Sequence, residues 1–216
     1  MTNDMHIHEA FEKLPDEKKE KILQTSMEVF AEKGYEGAST NDIVKRAGIS
    51  KGILFHYFGN KRNLYLYVLD RTLDKAVEKI SNGYRSAPAD LFERITVTGM
   101  LKLKLALEEP LVYKLIFSSF VNTPESLREA MQERYKKLYD IAIPMLLEGI
   151  DFSKLRSGID PYKAIEVLLF FMEGYQAKYI EKWKNMTADQ TLTQMDKLVE
   201  DRMVYMEILK KGIYGM

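Results

Sequence analysis

The stretch that decides the fold covers residues 39–64 and reads STNDIVKRAGISKGILFHYFGNKRNL. Its first part predicts a short helix with a hydroxyl cap and one apolar side. Gly48 can adopt a positive backbone angle, so a tight turn follows, with Ile49 filling the corner. Ser50 then caps a second short helix over residues 51–58, and Gly59 ends it. This arrangement predicts a helix-turn-helix whose second helix fits a DNA major groove.

The second helix carries residues suited to contact with nucleic acid. Lys51, His56 and Tyr57 are predicted to point outward. Gly52 costs about 1 kcal/mol relative to alanine inside a helix, so something should offset that cost. Close approach of its backbone to a DNA phosphate and tight packing against the first long helix are both open explanations. Residues 41–62 hold five basic residues and one acidic residue in a chain of zero net charge, a pattern that fits either a DNA-binding patch or a solvated helix face.

The rest of the chain predicts helices only. A first helix should begin near Pro15 and end at Gly34, and a long fourth helix should begin after Asn60 and end near residues 82–83. Five more helices should follow, the last beginning at a Thr187 capping box. We therefore expect an all-α protein. Its predicted parts are a mobile N-terminal arm (1–14), a three-helix DNA-binding domain (15–62) and a larger six-helix domain (63–216) for ligand binding and dimerisation.

Residues 39–64 resemble the DNA-binding signature of the tetracycline-repressor (TetR/AcrR) family. The similar positions are Ser39-Thr40, Ile43, Ala47-Gly48-Ile49-Ser50, Lys51-Gly52, Leu54, His56-Tyr57-Phe58, Lys61 and Leu64. The match covers about 45 residues of this chain, from the first helix to the start of the fourth. The resemblance implies a homodimeric, ligand-responsive transcriptional regulator, by default a repressor, that binds a pseudo-palindromic double-stranded DNA operator.

The resemblance also implies roles for single residues. Thr40 and Lys61 would hold phosphates, and His56 would reach a phosphate or a base edge. Ile53 would make an apolar contact, for example to a thymine methyl group. Phe55 departs from the family pattern, which usually has tyrosine there, so it lacks that hydroxyl. The predicted DNA-binding residues are Thr40, Lys51, Gly52, Ile53, His56, Tyr57 and Lys61.

The larger domain carries two broad apolar stripes near the chain end. One includes Leu168, Phe171 and Tyr175, and the other includes Met206 and Ile213, with Arg202 or Met203 on its course. Such helices suit a four-helix dimer interface, or else they face only their own core. Aromatic residues predict a mostly apolar effector pocket, with plain helical core as the alternative. The candidate pocket residues are Tyr113, Phe117, Phe120, Tyr135, Phe171, Tyr175 and Tyr179, and Glu173 is a candidate polar anchor.

Composition argues against several other functions. The chain has no cysteine, and its three histidines are His6, His8 and His56, so no catalytic constellation is visible. His6 and His8 are weak metal candidates on the predicted arm. No apolar run approaches the roughly 20 residues of a membrane span, so we expect a cytoplasmic protein without cofactor or metal. The alternative function is a DNA- or protein-binding protein of the same fold without a small-molecule inducer.

Overall fold

The computed structural model describes residues 9–84, 87–183, 186–187, 189–190 and 193–215. These residues are predominantly helical, which confirms the all-α prediction. The bounds are α1 Glu9–Glu12, α2 Asp16–Gly37, α3 Thr40–Ala47, α4 Lys51–Phe58, α5 Lys61–Gly83, α6 Leu91–Glu108, α7 Pro110–Val121, α8 Arg128–Leu147, α9 Pro161–Trp183 and α10 Met195–Ile213.

Contacts divide the described chain into two units. The first holds the residues up to Glu78 together with Glu109–Arg128, and the second holds Lys79–Glu108 and the residues from Glu129 onward. The division falls inside α5, the helix in which the sequence also placed the domain boundary, there between residues 62 and 63. It also places α7 in the first unit, because α7 packs against α2.

The first unit has an aromatic and aliphatic core. Val29, Phe30, Ile43, Leu54 and Leu69 are fully buried in it. The ring of Phe30 meets the ring of Tyr65 edge-on at 4.9 Å. Because these side chains come from α2 to α5, the core fixes the two short helices against two long ones.

The described part of the predicted mobile arm, residues 9–14, is attached to the first unit. Residues 9–12 form a helical turn, α1, and Phe11 on this turn is fully buried. Its ring packs against Phe58 at 4.8 Å and Tyr67 at 5.5 Å. The physical reason is that one large apolar side chain gains enough from burial to order a short polar segment.

The second unit is built around α6, α9 and α10. Its buried core includes Leu91, Phe92, Ile165, Leu168 and Met206. Asp90 caps α6 by accepting the backbone N–H groups of Phe92 at 3.0 Å and Glu93 at 3.1 Å. Asp160, directly before Pro161, caps α9 in the same way by accepting the N–H groups of Tyr162 and Lys163.

Two details of the second unit bear on the helix predictions. Thr187 and Gln190 exchange the two hydrogen bonds of the predicted capping box, at 2.8 and 3.2 Å. The last long helix nevertheless begins at Met195, after a turn at residues 193–194.

No helix in the described part of the chain is long and apolar enough to cross a membrane. Some predictions fall outside the description. They concern His6 and His8 and the side chain of Glu173.

Candidate nucleic-acid interface

Helix α4 has two sharply different sides. Leu54 and Phe58 are fully buried, whereas Ile53 keeps 42% of its surface exposed. Lys51, Gly52 and His56 are exposed on the same outward side as Ile53. Because Leu54 and Phe58 anchor the helix from within, its outward residues stand on a rigid support.

Local capping sets the position of α4. The Ser50 hydroxyl accepts the backbone N–H of Ile53 at 3.2 Å, and Gly59 ends the helix at a φ of 70°. Gly48, with a φ of 72°, makes the turn after α3. The Ser39 hydroxyl caps α3 by accepting the N–H of Asn41 at 3.2 Å, which leaves Thr40 as the first helical residue, half-buried. The predicted helix-turn-helix is therefore present with its predicted caps.

The surroundings of Gly52 bear on its two explanations. A Cβ atom placed at Gly52 would meet only the Ser50 hydroxyl, at 3.9 Å. Tight packing against α2 therefore does not explain this glycine. An open glycine backbone on the outward side of α4 leaves room for a close partner, and a DNA phosphate remains the proposed one.

The predicted lysines are held by neighbouring aromatic rings. Lys51 Nζ lies 5.7 Å from the centre of the Phe55 ring, so Phe55 supports this cation. Lys61 Nζ lies 4.9 Å from the Tyr35 ring and donates to the Glu36 carbonyl at 3.1 Å. Each ammonium group is thereby positioned by a neighbouring aromatic ring.

Ion pairs engage two of the charged residues in the predicted basic patch. The Lys33 ammonium hydrogen-bonds Asp42 at 2.5 Å and lowers the pKa of that carboxyl, and Arg46 pairs with Glu32 at 3.2 Å. These pairs cross between α2 and α3, so they tie the two helices together at the surface. One of the five cations in residues 41–62, Arg46, therefore stabilises the fold, which the sequence pattern did not reveal.

Phe11 is a supporting residue that the sequence reasoning missed. Its ring meets the ring of Tyr57 edge-on at 5.7 Å, so α1 packs against α4. Tyr57, a predicted DNA contact, is thus half-buried and fixed from the N-terminal side. Glu12 strengthens the attachment by pairing with Arg71 at 2.5 Å. The only sequence signal was a lone phenylalanine in a charged stretch.

The predicted effector-pocket residues are divided between the two units. Tyr113, Phe117 and Phe120 lie on α7 in the first unit, where Tyr113 and Phe117 contact each other at 5.8 Å. The Tyr113 hydroxyl is buried without a hydrogen-bond partner among the described residues, and burial raises the pKa of this phenol to about 12.

The remaining pocket residues lie in the second unit. Tyr135 on α8 is largely exposed. Phe171, Tyr175 and Tyr179 follow one another along α9, with ring distances of 5.5 and 4.7 Å, and the Tyr179 hydroxyl donates to Asp201 at 2.9 Å. This row is the part of the predicted set that the structure brings together within one unit.

The apolar stripes of α9 and α10 face their own core. Leu168, Tyr175, Met206 and Ile213 are buried within the unit. Other apolar residues of the same two helices, some of them members of the predicted stripes, are exposed, and we call them the open apolar face. It comprises Tyr162, Val167, Phe170, Met203, Val204, Tyr205 and Ile208.

No group of three or more histidine, aspartate or glutamate residues in the described part of the chain could hold a metal ion. The candidate site is the outward side of α4, with Lys51 at its start and Lys61 at the start of α5.

Comparison with known proteins agrees with this geometry. The model of the bacterial regulatory proteins of the tetR family matches residues 22–68, which cover the core of the helix-turn-helix unit. The HTH-type transcriptional repressor AcnR of Corynebacterium glutamicum is 26% identical over 188 residues, covering 86% of this chain and 92% of AcnR. The HTH-type transcriptional activator FasR of Mycolicibacterium smegmatis is 32% identical over 111 residues, covering 51% of this chain and 50% of FasR.

Solved structures share the fold. The crystal structure of the transcriptional regulator FadR from Bacillus subtilis, in complex with stearoyl-CoA, matches with a TM-score of 0.59 at 18% identity. That match covers 83% of this chain and 95% of FadR. With the helix-turn-helix, its caps and the matched relatives in agreement, the chain carries the DNA-binding domain of the tetR family of bacterial regulatory proteins, and it is similar to HTH-type transcriptional regulators over most of its length.

Proposed function

We propose that the chain is a cytoplasmic homodimeric repressor that binds a pseudo-palindromic operator and is released by a small, mostly apolar effector. The observation that carries DNA binding is the two-sided helix α4. Its inner residues Leu54 and Phe58 are fully buried, while Lys51, Ile53 and His56 are exposed together. A helix supported in this way can enter a major groove without rearrangement.

Each predicted contact has a distinct role in this proposal. Thr40 and Lys61 hold phosphates at the two ends of the motif, and Lys51 and Tyr57 hold the backbone beside α4. Gly52 lets that backbone approach closely, and Ile53 and His56 face the bases. Phosphate contacts supply affinity, so operator binding should weaken steeply with salt.

The open apolar face supports the homodimer. Phe170 on α9 is 69% exposed, and Ile208 on α10 is 63% exposed. Several large apolar side chains on two adjacent helices are costly to leave in water, and a second copy of the same face would cover them. Two recognition helices about one DNA turn apart, roughly 34 Å, would then meet successive half-sites.

The proposed effector is apolar, with long-chain acyl compounds the first to test. FadR, whose fold this chain shares, was crystallised with stearoyl-CoA. The Phe171–Tyr175–Tyr179 row offers apolar ring surface in the second unit. Because α5 runs across the division between the two units, a ligand could act on the DNA-binding unit through it. The reciprocal coupling would be about 1–3 kcal/mol, as is usual for allosteric pairs.

DNA binding by the purified chain tests the first part of the proposal. The probe is the sequence upstream of the chain's own gene, titrated with salt and competitor DNA. We expect selective, salt-sensitive binding at two chains per site. Lys51→Ala and Ile53→Ala should weaken it, whereas the matched control Lys13→Ala should not. Equal binding by all three variants would mean that α4 is not the recognition helix.

Oligomeric state and ligand response test the other parts. Ile208→Glu should convert the dimer to a monomer in light scattering, whereas Glu207→Gln, a neighbouring exposed position, should leave the dimer intact. Stearoyl-CoA should release operator DNA from the wild-type chain. Retained operator binding across a panel of acyl compounds and other apolar ligands would favour the alternative, a protein of this fold without an inducer.

A further inference from the structure

Arg202 occupies an unusual place on α10. It lies on the same inward side as Met206 and Ile213, which are buried in the core of the second unit. Met203, the next residue, is 55% exposed on the other side. An arginine therefore stands in a row that is otherwise apolar, where its charge is partly removed from water.

The guanidinium of Arg202 is pressed against helix α6. A Cβ atom placed at Gly99 would lie 2.9 Å from Arg202 Cζ, so a side chain at position 99 would force the guanidinium to move. Gly99 thus makes room for this arginine. Burial lowers the pKa of Arg202, and the neighbouring Tyr175 phenol on α9 opposes that effect.

Lys102 brings a second positive charge to the same place. It follows Gly99 by one helical turn on α6, and part of its side chain is exposed. Desolvation lowers its pKa, and the charge of Arg202 lowers it further. Because the guanidinium packs against Gly99 and Lys102 lies one turn further along α6, the two cations are neighbours and repel each other.

Neither cation forms an ion pair with a carboxylate of the described residues. Asp201, which adjoins Arg202 in sequence, accepts the Tyr179 hydroxyl instead. The buried Arg94 of the same unit, in contrast, has its guanidinium fully engaged by protein hydrogen-bond acceptors. It donates to the carbonyl oxygens of Pro88 at 2.7 Å and Leu146 at 3.2 Å, and also to Glu148.

Two neighbouring cations, partly desolvated and without a carboxylate partner among the described residues, are unfavourable unless a ligand supplies the missing charge. Apolar surface lies beside them, because Tyr175 continues the row of rings from Phe171 to Tyr179. An anionic head next to an apolar chain would satisfy both features.

We propose that Arg202 and Lys102 form an anion-binding site for the carboxylate or phosphate of an amphiphilic effector, with Tyr175 at the start of its apolar path. The identification of this ligand as the effector rests on the proposed function. Arg202 offers several N–H donors in a planar fork, and Lys102 adds a point charge beside it.

Direct binding tests the site without DNA. The probes are dodecanoate, dodecyl phosphate and dodecanol, each below its micelle concentration and titrated calorimetrically into the full chain. The anions should bind at least about tenfold more tightly than the alcohol, the usual effect of one charge-assisted hydrogen bond. A stronger preference for dodecanoate would identify a carboxylate site, and a stronger preference for dodecyl phosphate a phosphate site. Equal binding of all three probes, or no binding, would overturn the proposal.

Variants test whether the two cations cause the preference for anions over the alcohol. Arg202→Gln and Lys102→Gln should each remove it and leave dodecanol binding unchanged, while Arg202→Lys should restore part of it. Lys104→Gln is the matched control, because Lys104 lies on the same helix and pairs with Glu108 at 3.7 Å. A preference that survives Arg202→Gln would overturn the proposal.

The melting temperature of the ligand-free chain separates a binding role from a structural one. Arg202→Met should melt at a higher temperature than the wild type, because it removes an unpaired, partly buried charge. A lower melting temperature would show that protein groups already satisfy the guanidinium. Selective anion binding without operator release would count against the proposed function alone. Loss of anion selectivity with intact operator release would count against this inference alone.

Discussion

Helix α4 in the first unit and helices α9 and α10 in the second distribute their apolar residues in opposite ways. In α4 the large buried residues Leu54 and Phe58 face inward, and the outward side is mixed and cationic. In α9, Leu168 is 2% exposed while Phe170, two residues on, is 69% exposed. A helix with one apolar side is completed by its own chain, whereas one with two apolar sides needs a second surface.

The largest effect should come from separating the two sides of α4. Phe58→Ala should lower the free energy of unfolding by about 3–5 kcal/mol, because it leaves a cavity in a fully buried position. Ile53→Ala should change it by less than about 0.5 kcal/mol and weaken operator binding instead. Guanidinium denaturation together with DNA titration measures both. Similar unfolding energies for the two variants would erase the contrast between the sides.

A substitution at Phe11 tests whether the stability of the first unit depends on a contact outside the helix-turn-helix. Phe11→Ala should cost about 3 kcal/mol of unfolding free energy, at the low end for a buried phenylalanine because α1 is a single turn. Since Phe11 supports Tyr57 and Phe58, operator affinity should fall as well. Lys13→Ala, an exposed change beside α1, is the control. A Phe11→Ala chain with wild-type stability would mean that α1 adds nothing to the unit.

The helix caps of the two units differ in burial, so their loss should destabilise the two units by different amounts. Ser50→Ala should cost about 1 kcal/mol, the usual effect of losing an exposed cap. Asp90→Ala should cost about 2 kcal/mol, because the Asp90 carboxylate also accepts from Lys154 at 2.8 Å. Thermal unfolding of both variants measures the difference. A larger loss for Ser50→Ala would reverse the expected order.

The smallest effects should appear in acid. Burial tends to raise the pKa of Asp90, but the hydrogen bonds from Lys154 and the Glu93 N–H outweigh it and lower that pKa below 3.8. Its contribution is therefore present above pH 3.8 and is lost as the pH falls through the lower folded value. The stability advantage of the wild type over Asp90→Asn should shrink only in that window.

Glu12 provides the matching group in the first unit. The Tyr67 hydrogen bond lowers the pKa of Glu12 from 4.5, against desolvation, with help from Arg71. Its contribution should likewise be lost below about pH 4.5, but it should be smaller than that of Asp90 because both partners are about half exposed. Melting curves of Glu12→Gln against pH check this order. A larger acid effect at Glu12 than at Asp90 would contradict it.

The sequence by itself determined the helix-turn-helix of the first unit. Ser39, Gly48, Ser50 and Gly59 act through hydrogen bonds and backbone angles within a few residues of themselves. Such local chemistry can be read along the chain, so the two short helices, their turn and the outward residues of α4 were all predicted.

Only the tertiary structure decided which apolar or charged residue meets which partner. The periodicity of α9 and α10 did not distinguish the inward Leu168 from the exposed Phe170, and it left Arg202 and Met203 interchangeable. The burial of Phe11, the place of α7 in the first unit and the closeness of Arg202 to Gly99 and Lys102 were equally invisible. Each depends on contact between residues far apart in sequence, and no local pattern specifies which distant helix covers a given side.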